Sequence, residues 1–132
     1  GFELAGILAI ELFVTKDEQV IVNELAPRPH NSGHYTIEAC SFDQFDAHIR
    51  GIAGWPLEQP ELLKPAVMVN VLGQHVAPTR ALIAEHPEWN MHDYCKAEVR
   101  HDRKMGHITV LTDDTRQTVA DLERTGCWDD LK

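Results

Sequence analysis

The chain has 132 residues, of which 43% are apolar and 25% charged, a balance typical of globular domains. Its 21 acidic and 12 basic residues give a formal charge of −9, which argues against general nucleic-acid binding because that function needs a basic surface. No apolar run approaches the roughly 20 residues of a membrane-spanning helix, and the start carries no signal-peptide pattern.

Two β-rich segments open the chain and predict a hairpin. Ile7–Val14 and Gln19–Leu25 are apolar and β-branched, and the polar residues Thr15–Glu18 separate them. Glu11 lies in the first strand and Glu24 near the end of the second. Pairing could bring both carboxylates to one end of the sheet, but the register that decides whether they share a face stays open.

Helices and a linker are expected next. The first helix would run from residue 33 or 34 to about Cys40. A second is predicted from Ser41, where Ser41–Gln44 matches a capping box, to about Arg50. Residues 51–60 are rich in glycine and proline and indicate a linker.

The remainder predicts a small mixed α and β domain. Thr115–Arg124 has the pattern of an amphipathic helix with Val119 and Leu122 inward. The other predicted elements are a strand at Ala66–Leu72, helical turns within Thr79–His86, and two strands at Met91–Val99 and His107–Thr112.

The most informative segment is Asn23–His34, which follows the second predicted strand. Pro27 and Pro29 fix the backbone on either side of Arg28, whose guanidinium offers a rigid donor fork. A loop with so many polar groups held so rigidly is typical of an oxyanion site.

Taken singly, these residues allow ordinary interpretations. Glu11 could be a solvent-facing strand residue, and Arg28 could pair with a nearby acid. His30 and His34 have a spacing that binds zinc on a helix, but no third ligand is obvious and the prolines disfavour a helix there. The basic residues from Lys96 onward could be the charged, solvent-exposed side chains of a hairpin.

Three widely spaced cysteines without a paired motif indicate reduced thiols and a cytoplasmic protein.

In context, Asn23–His34 resembles the ATP-grasp signature of the 5-(carboxyamino)imidazole ribonucleotide synthetases, the ATPase subunits of phosphoribosylaminoimidazole carboxylase. Ile10–Val14 upstream, and Tyr94–Lys96 with Arg103–His107 downstream, extend the resemblance over most of the chain. A sister family, the formate-dependent glycinamide ribonucleotide transformylases, shares the Pro-Arg-Pro-His core. Residues 31–34 favour the carboxylating family.

The resemblance implies an α+β fold. Residues 1–55 would be the C-terminal portion of an ATP-grasp domain, with antiparallel strands plus helices, and residues 56–132 a small β-rich C-terminal domain. Members of the family are much longer, so we expect a C-terminal fragment that lacks the ATP-clasping region and does not turn over alone.

The resemblance also implies roles for individual residues. Glu11 and Glu24 would hold Mg²⁺, with Asn23 and Glu24 at the ATP site. A pocket for bicarbonate and carboxyphosphate would be formed by Arg28, His30 and Asn31. A site for the substrate's 5′-phosphate would be formed by Lys96, Arg103 and Lys104. Asp93 stands where an aromatic residue is usual in the family, and Cys95 and Asp102 stand where glycines are usual.

The implied reaction is ATP-dependent carboxylation of 5-aminoimidazole ribonucleotide with bicarbonate in purine biosynthesis, by a cytoplasmic homodimer. The alternatives left open are a formate-dependent ligase of purine metabolism, a non-catalytic nucleotide-binding module, and an assembly piece whose apolar faces pair with another chain.

Overall fold

The computed structural model describes residues 3–129, and its antiparallel strands and short helices confirm the predicted α+β class. The chain divides into two units, Gly1–Leu62 and Leu63–Lys132, each with its own sheet. A domain boundary after residue 55 stays a prediction. No helix among residues 3–129 is long and apolar enough to cross a membrane.

The first unit begins with the predicted hairpin. Strand β1 (Ala9–Val14) pairs antiparallel with β2 (Val20–Ala26). The register sets Glu11 directly opposite Glu24 and then shifts at a bulge, so that Leu12 pairs with Val22. Directly opposed residues share a face of an antiparallel sheet, which settles the question that the sequence left open.

Two α-helices follow the hairpin, after a 3₁₀ turn at Asn31–Gly33. The first, α1, is short (Thr36–Ala39), and the second, α2, spans Gln44–Ala53. Helix α2 continues past the predicted end and stops at Gly54, whose φ of 66° lies in the left-handed region that glycine adopts without strain.

The predicted start of the second helix at Ser41 is wrong. Asp43 is the residue that caps α2, because its carboxylate accepts hydrogen bonds from the Phe45 and Asp46 amides at 2.7 and 2.9 Å. The Ser41 hydroxyl instead accepts a hydrogen bond from the Glu61 amide at 3.0 Å. Both residues are good caps, and the tertiary contact to Glu61 decides between them.

The second unit contains a three-stranded antiparallel sheet in the order β3–β5–β4. The strands and helices are β3 (Ala66–Leu72), α3 (Val76–Leu82), β4 (Asn90–Asp93), β5 (Lys104–Leu111) and α4 (Thr115–Arg124), with 3₁₀ turns at Gly73–His75 and Ile83–Glu85. The predictions for β3 and α4 are confirmed to the residue. The strand predicted to reach Val99 is wrong beyond Asp93, because Cys95 takes a φ of 51°, which no strand residue adopts.

The core of this unit is built around the central strand β5, in which residues 105–110 are all buried. Trp89 and Trp128 pack edge to face there, with ring centroids 5.9 Å apart. Leu122 of α4 is buried as predicted. Val119 is 44% exposed, contrary to prediction, because it lines an open groove with Met68 instead of joining the core.

Candidate active site

Two carboxylates face each other across the hairpin of the first unit. One potential ligand atom each from Glu11, Glu24 and His30 lie within 4.8 Å of one another. The Glu11 and Glu24 side chains are 43% and 48% exposed, so a ligand can reach both. Like charges directly opposed destabilise a strand pair, and a cation between them would remove that repulsion.

The bulge in β2 adds Asn23 to the acid pair. Because Leu12 pairs with Val22, Asn23 is the extra residue, and its Nδ2 donates to Oε1 of Glu11 at 2.5 Å. This contact orients the Glu11 carboxylate. The sequence pattern singled out Asn23, but it gave no sign of the bulge that brings its amide to Glu11.

Arg28 lies beside the acid pair. Its Nη2 is 3.7 Å from Oε1 of Glu24, and its Nη1 donates to the Pro29 carbonyl at 3.1 Å. The side chain is 61% exposed. Since a guanidinium carries five N–H donors, these contacts leave donors that an anion above the carboxylates can use.

His30 faces the same acid pair. Its Nε2 lies 3.9 Å from Oε2 of Glu11, while its Nδ1 lies 3.3 Å from the Ser32 amide nitrogen and 2.9 Å from the Ser32 hydroxyl oxygen. With the proton on Nε2, the ring can donate a hydrogen bond to an anion beside the acid pair. With the proton on Nδ1, a bare Nε2 can be a third ligand of a cation held by the two carboxylates.

The amides of the turn after His30 are used within the loop. The Ser32 amide donates to Nδ1 of His30 at 3.3 Å, and the Gly33 amide donates to the His30 carbonyl at 2.9 Å. Asn31 begins this turn, and its carbonyl accepts from the His34 amide at 3.1 Å. The bicarbonate role of Asn31 stays a prediction.

Sequence reasoning missed Gln44, which it used only as part of the capping box. This residue is 8% exposed, and its Oε1 accepts from the His30 amide at 2.9 Å. Its Nε2 donates to the His30 carbonyl, also at 2.9 Å. A glutamine after a helix cap has no distinctive pattern, so only the structure could find this contact.

The basic loop of the second unit, residues 94–104, is braced by its own cations. Lys96 Nζ donates to the Lys104 carbonyl at 2.6 Å and lies 5.5 Å from the centroid of the Tyr94 ring. Arg103 Nη1 donates to the Glu98 carbonyl at 3.2 Å. Lys96 thus contacts the backbone of Lys104, and Arg103 contacts the backbone of Glu98 in the middle of the same loop.

The residues that depart from the family pattern keep a glycine-like backbone. Cys95 and Asp102 have φ values of 51° and 59°, in the left-handed region where glycine is the usual residue. The Asp93 carboxylate accepts from the Cys95 amide at 2.8 Å and from Arg80 Nη2 at 2.6 Å. These hydrogen bonds, with that to the Cys95 amide foremost, hold the pKa of Asp93 below its ordinary value.

Comparison with known proteins gives a separate match for each of the two units of the chain. An ATP-grasp domain model matches residues 1–45, and the model of the phosphoribosylaminoimidazole carboxylase C-terminal domain matches residues 66–121. The N5-carboxyaminoimidazole ribonucleotide synthase of Staphylococcus saprophyticus is 53% identical over 114 residues, which are 86% of this chain and 30% of that protein. The chain is similar to the N5-carboxyaminoimidazole ribonucleotide synthases over most of its own length. The predicted family is confirmed, and these relatives give no support to the formate-dependent alternative.

Solved structures of synthases in this family show the same fold. The Staphylococcus aureus synthetase complexed with ADP matches with a TM-score of 0.89 and 49% identity, over 93% of this chain and 33% of that one. The Aspergillus clavatus synthase in complex with ADP and 5-aminoimidazole ribonucleotide matches with a TM-score of 0.80 and 34% identity, over 91% and 34%. The chain therefore spans about a third of the length of these relatives.

Proposed function

We propose that the chain is the C-terminal part of an ATP-dependent carbon–nitrogen ligase of de novo purine biosynthesis, which carboxylates 5-aminoimidazole ribonucleotide with bicarbonate. The observation that carries the proposal is the pairing of Glu11 with Glu24 on one face of the hairpin, with Arg28 and His30 beside them. This combines a place for a cation with donors for an anion. The chain alone, about a third of the relatives' length, would not turn over.

The acid pair fits a magnesium ion. Both Glu11 and Glu24 offer carboxylate oxygens, the ligands that Mg²⁺ prefers, and both side chains are exposed enough to be reached. When bound, magnesium would supply positive charge to the nucleotide phosphates. Asn23 would keep Glu11 oriented and, with Glu24, contribute to the ATP side of the site.

The loop residues would act on bicarbonate. A bicarbonate oxygen attacks the γ-phosphorus of ATP, the bond to ADP breaks, and a carboxyphosphate forms. Arg28, His30 and Asn31 would hold these anions by donating hydrogen bonds. The exocyclic amine of the ribonucleotide then forms a bond to the carboxyl carbon, either directly or through released CO₂, as phosphate leaves and the amine loses a proton.

The basic loop would hold the substrate's 5′-phosphate through Lys96, Arg103 and Lys104. This assignment draws on the exposed position of Arg103 and Lys104 and on the ribonucleotide complex of the Aspergillus relative. We further propose that the full-length protein is a cytoplasmic homodimer.

The test uses the full-length enzyme with Glu24→Gln. We expect wild-type ADP formation to require both bicarbonate and 5-aminoimidazole ribonucleotide, and Glu24→Gln to lose it while staying folded. Removing one of two opposed charges should leave thermal stability equal or slightly higher. Glu58→Gln, at an exposed position outside the hairpin, is the control and should behave as wild type. Full activity of Glu24→Gln would remove Glu24 from the site.

A further inference from the structure

We propose that Gln44 is a positioning residue for the anion loop, residues 27–34, and that it acts through the His30 peptide. The inference rests on the proposed function, since it assigns Gln44 to the bicarbonate half of that reaction. Gln44 contacts the backbone of His30 and the ring of His34 and is not itself placed on the reacting groups.

The hydrogen bonds of Gln44 fix the direction of its amide. The His30 N–H can only donate and the His30 carbonyl can only accept, so Oε1 must face the first and Nε2 the second. The remaining Nε2 proton is directed at Nδ1 of His34, 2.8 Å away. That nitrogen must accept, so the neutral His34 ring carries its proton on Nε2. One side chain therefore sets the His30 peptide and the His34 tautomer together.

The Gln44 amide is held from both sides. Asp43 caps helix α2 and so places Gln44 at its first turn, where the Gln44 N–H donates to the Thr36 hydroxyl at 3.1 Å. On the loop side, a Cβ added to Gly33 would lie 2.5 Å from Oε1 of Gln44. Glycine at 33 is what allows the loop to approach the amide this closely.

The hydrogen bonds from Gln44 hold His30 in extended backbone (φ −122°, ψ 151°). The polar groups of the His30 backbone pair with the Gln44 side chain as they would with a neighbouring strand. The His30 ring projects from that peptide to within 3.9 Å of Glu11. A shift of the peptide would move the ring relative to the acid pair. A displacement of about 1 Å in a positioning group can cost up to roughly a hundredfold in rate.

The test compares Gln44→Glu with Gln59→Glu in the full-length enzyme. The first variant keeps the shape and the acceptor but loses both N–H donors, and the second adds the same charge at an exposed position outside the loop. We expect Gln44→Glu to lower kcat/KM for bicarbonate by about tenfold to a hundredfold, with the KM for ATP changed less than about twofold. Histidine ring ¹⁵N spectra should show His34 moving its proton to Nδ1, which a carboxylate would accept.

Gly33→Ala gives a second route, since it pushes the amide from the loop side without touching α2. It should reproduce the loss in bicarbonate kcat/KM. Unchanged bicarbonate kinetics in folded Gln44→Glu, equal losses for ATP and bicarbonate, or failure of both variants to fold would overturn the positioning role. A wild-type enzyme that does not need bicarbonate would instead overturn the proposed function, so the two failures are distinguishable.

Discussion

At the scale of single residues, the proposed role of the anion loop depends on the geometry of its donors as well as on their charge. Arg28 is 61% exposed and only 3.7 Å from Glu24, a surface contact that contributes little to stability. Its rigid fork is better explained by a ligand than by that contact. His30 likewise has its Nδ1 against Ser32, which leaves its Nε2 directed at the acid pair.

The first prediction separates the fork from the charge. Arg28→Lys keeps the positive charge but loses the bidentate donor pair. In the full-length enzyme we expect the KM for bicarbonate to rise about tenfold and kcat to fall, as for loss of one charge-assisted hydrogen bond. Arg116→Lys on α4, an exposed position, is the matched control. A change confined to the apparent affinity for ATP would contradict the assignment of Arg28.

A second prediction concerns strain at Cys95. The left-handed conformation costs a non-glycine residue about 1–2 kcal/mol, and Cys95→Gly would remove this cost. Part of the resulting stabilisation would be lost, because glycine has a higher conformational entropy in the unfolded state. Cys95→Gly should therefore raise the free energy of unfolding by about 0.5 kcal/mol. Denaturant unfolding followed by the fluorescence of the buried Trp89 and Trp128 measures it.

Asp102→Gly is the contrasting variant, because aspartate tolerates that conformation and the Asp102 carboxylate accepts from Gln74 at 3.0 Å. It should give no gain. A gain in Asp102→Gly, or a loss in Cys95→Gly, would show that conformational strain does not decide stability at these two positions.

At the scale of elements, strands and helices with an uninterrupted pattern could be read from the sequence, and their ends could not. The continuous apolar run of β3 and the capped, amphipathic α4 match prediction to the residue. The start of α2 did not, since a contact from Ser41 to Glu61 far along the chain decides which residue caps it. The β2 bulge and the reach of Gln44 depend on register and packing, to which a local pattern is blind.

The basic loop carries the element-scale prediction. If Arg103 binds the 5′-phosphate, Arg103→Ala should weaken 5-aminoimidazole ribonucleotide binding about tenfold or more. Its hydrogen bond to the Glu98 carbonyl is exposed, so thermal stability should change little. The measurement is the ligand-induced shift of amide signals from residues 96–107, with the unphosphorylated riboside and Arg116→Ala as controls. Equal responses to nucleotide and riboside would mean that this loop is an ordinary solvent-exposed surface without a role in phosphate binding.

At the scale of the whole molecule, the hairpin exposes an apolar surface that no described part of the chain buries. Its large apolar side chains are 49–72% exposed, with Phe13 and Ile21 among them and Val14 the most exposed. A group of neighbouring exposed apolar side chains marks an interaction surface. Since the chain spans about a third of its relatives' length, we propose that the remaining part of an ATP-grasp domain packs on the hairpin and completes the ATP site.

The proposal that this chain is part of a ligase that phosphorylates bicarbonate is tested most sharply by following one oxygen atom. The full-length enzyme is given ATP, 5-aminoimidazole ribonucleotide and ¹⁸O-bicarbonate, and the phosphate formed at early times is analysed by mass spectrometry. Attack of a bicarbonate oxygen on the γ-phosphorus predicts one ¹⁸O in each phosphate released, at the rate of ADP formation. ADP formed at that rate with unlabelled phosphate would contradict the account.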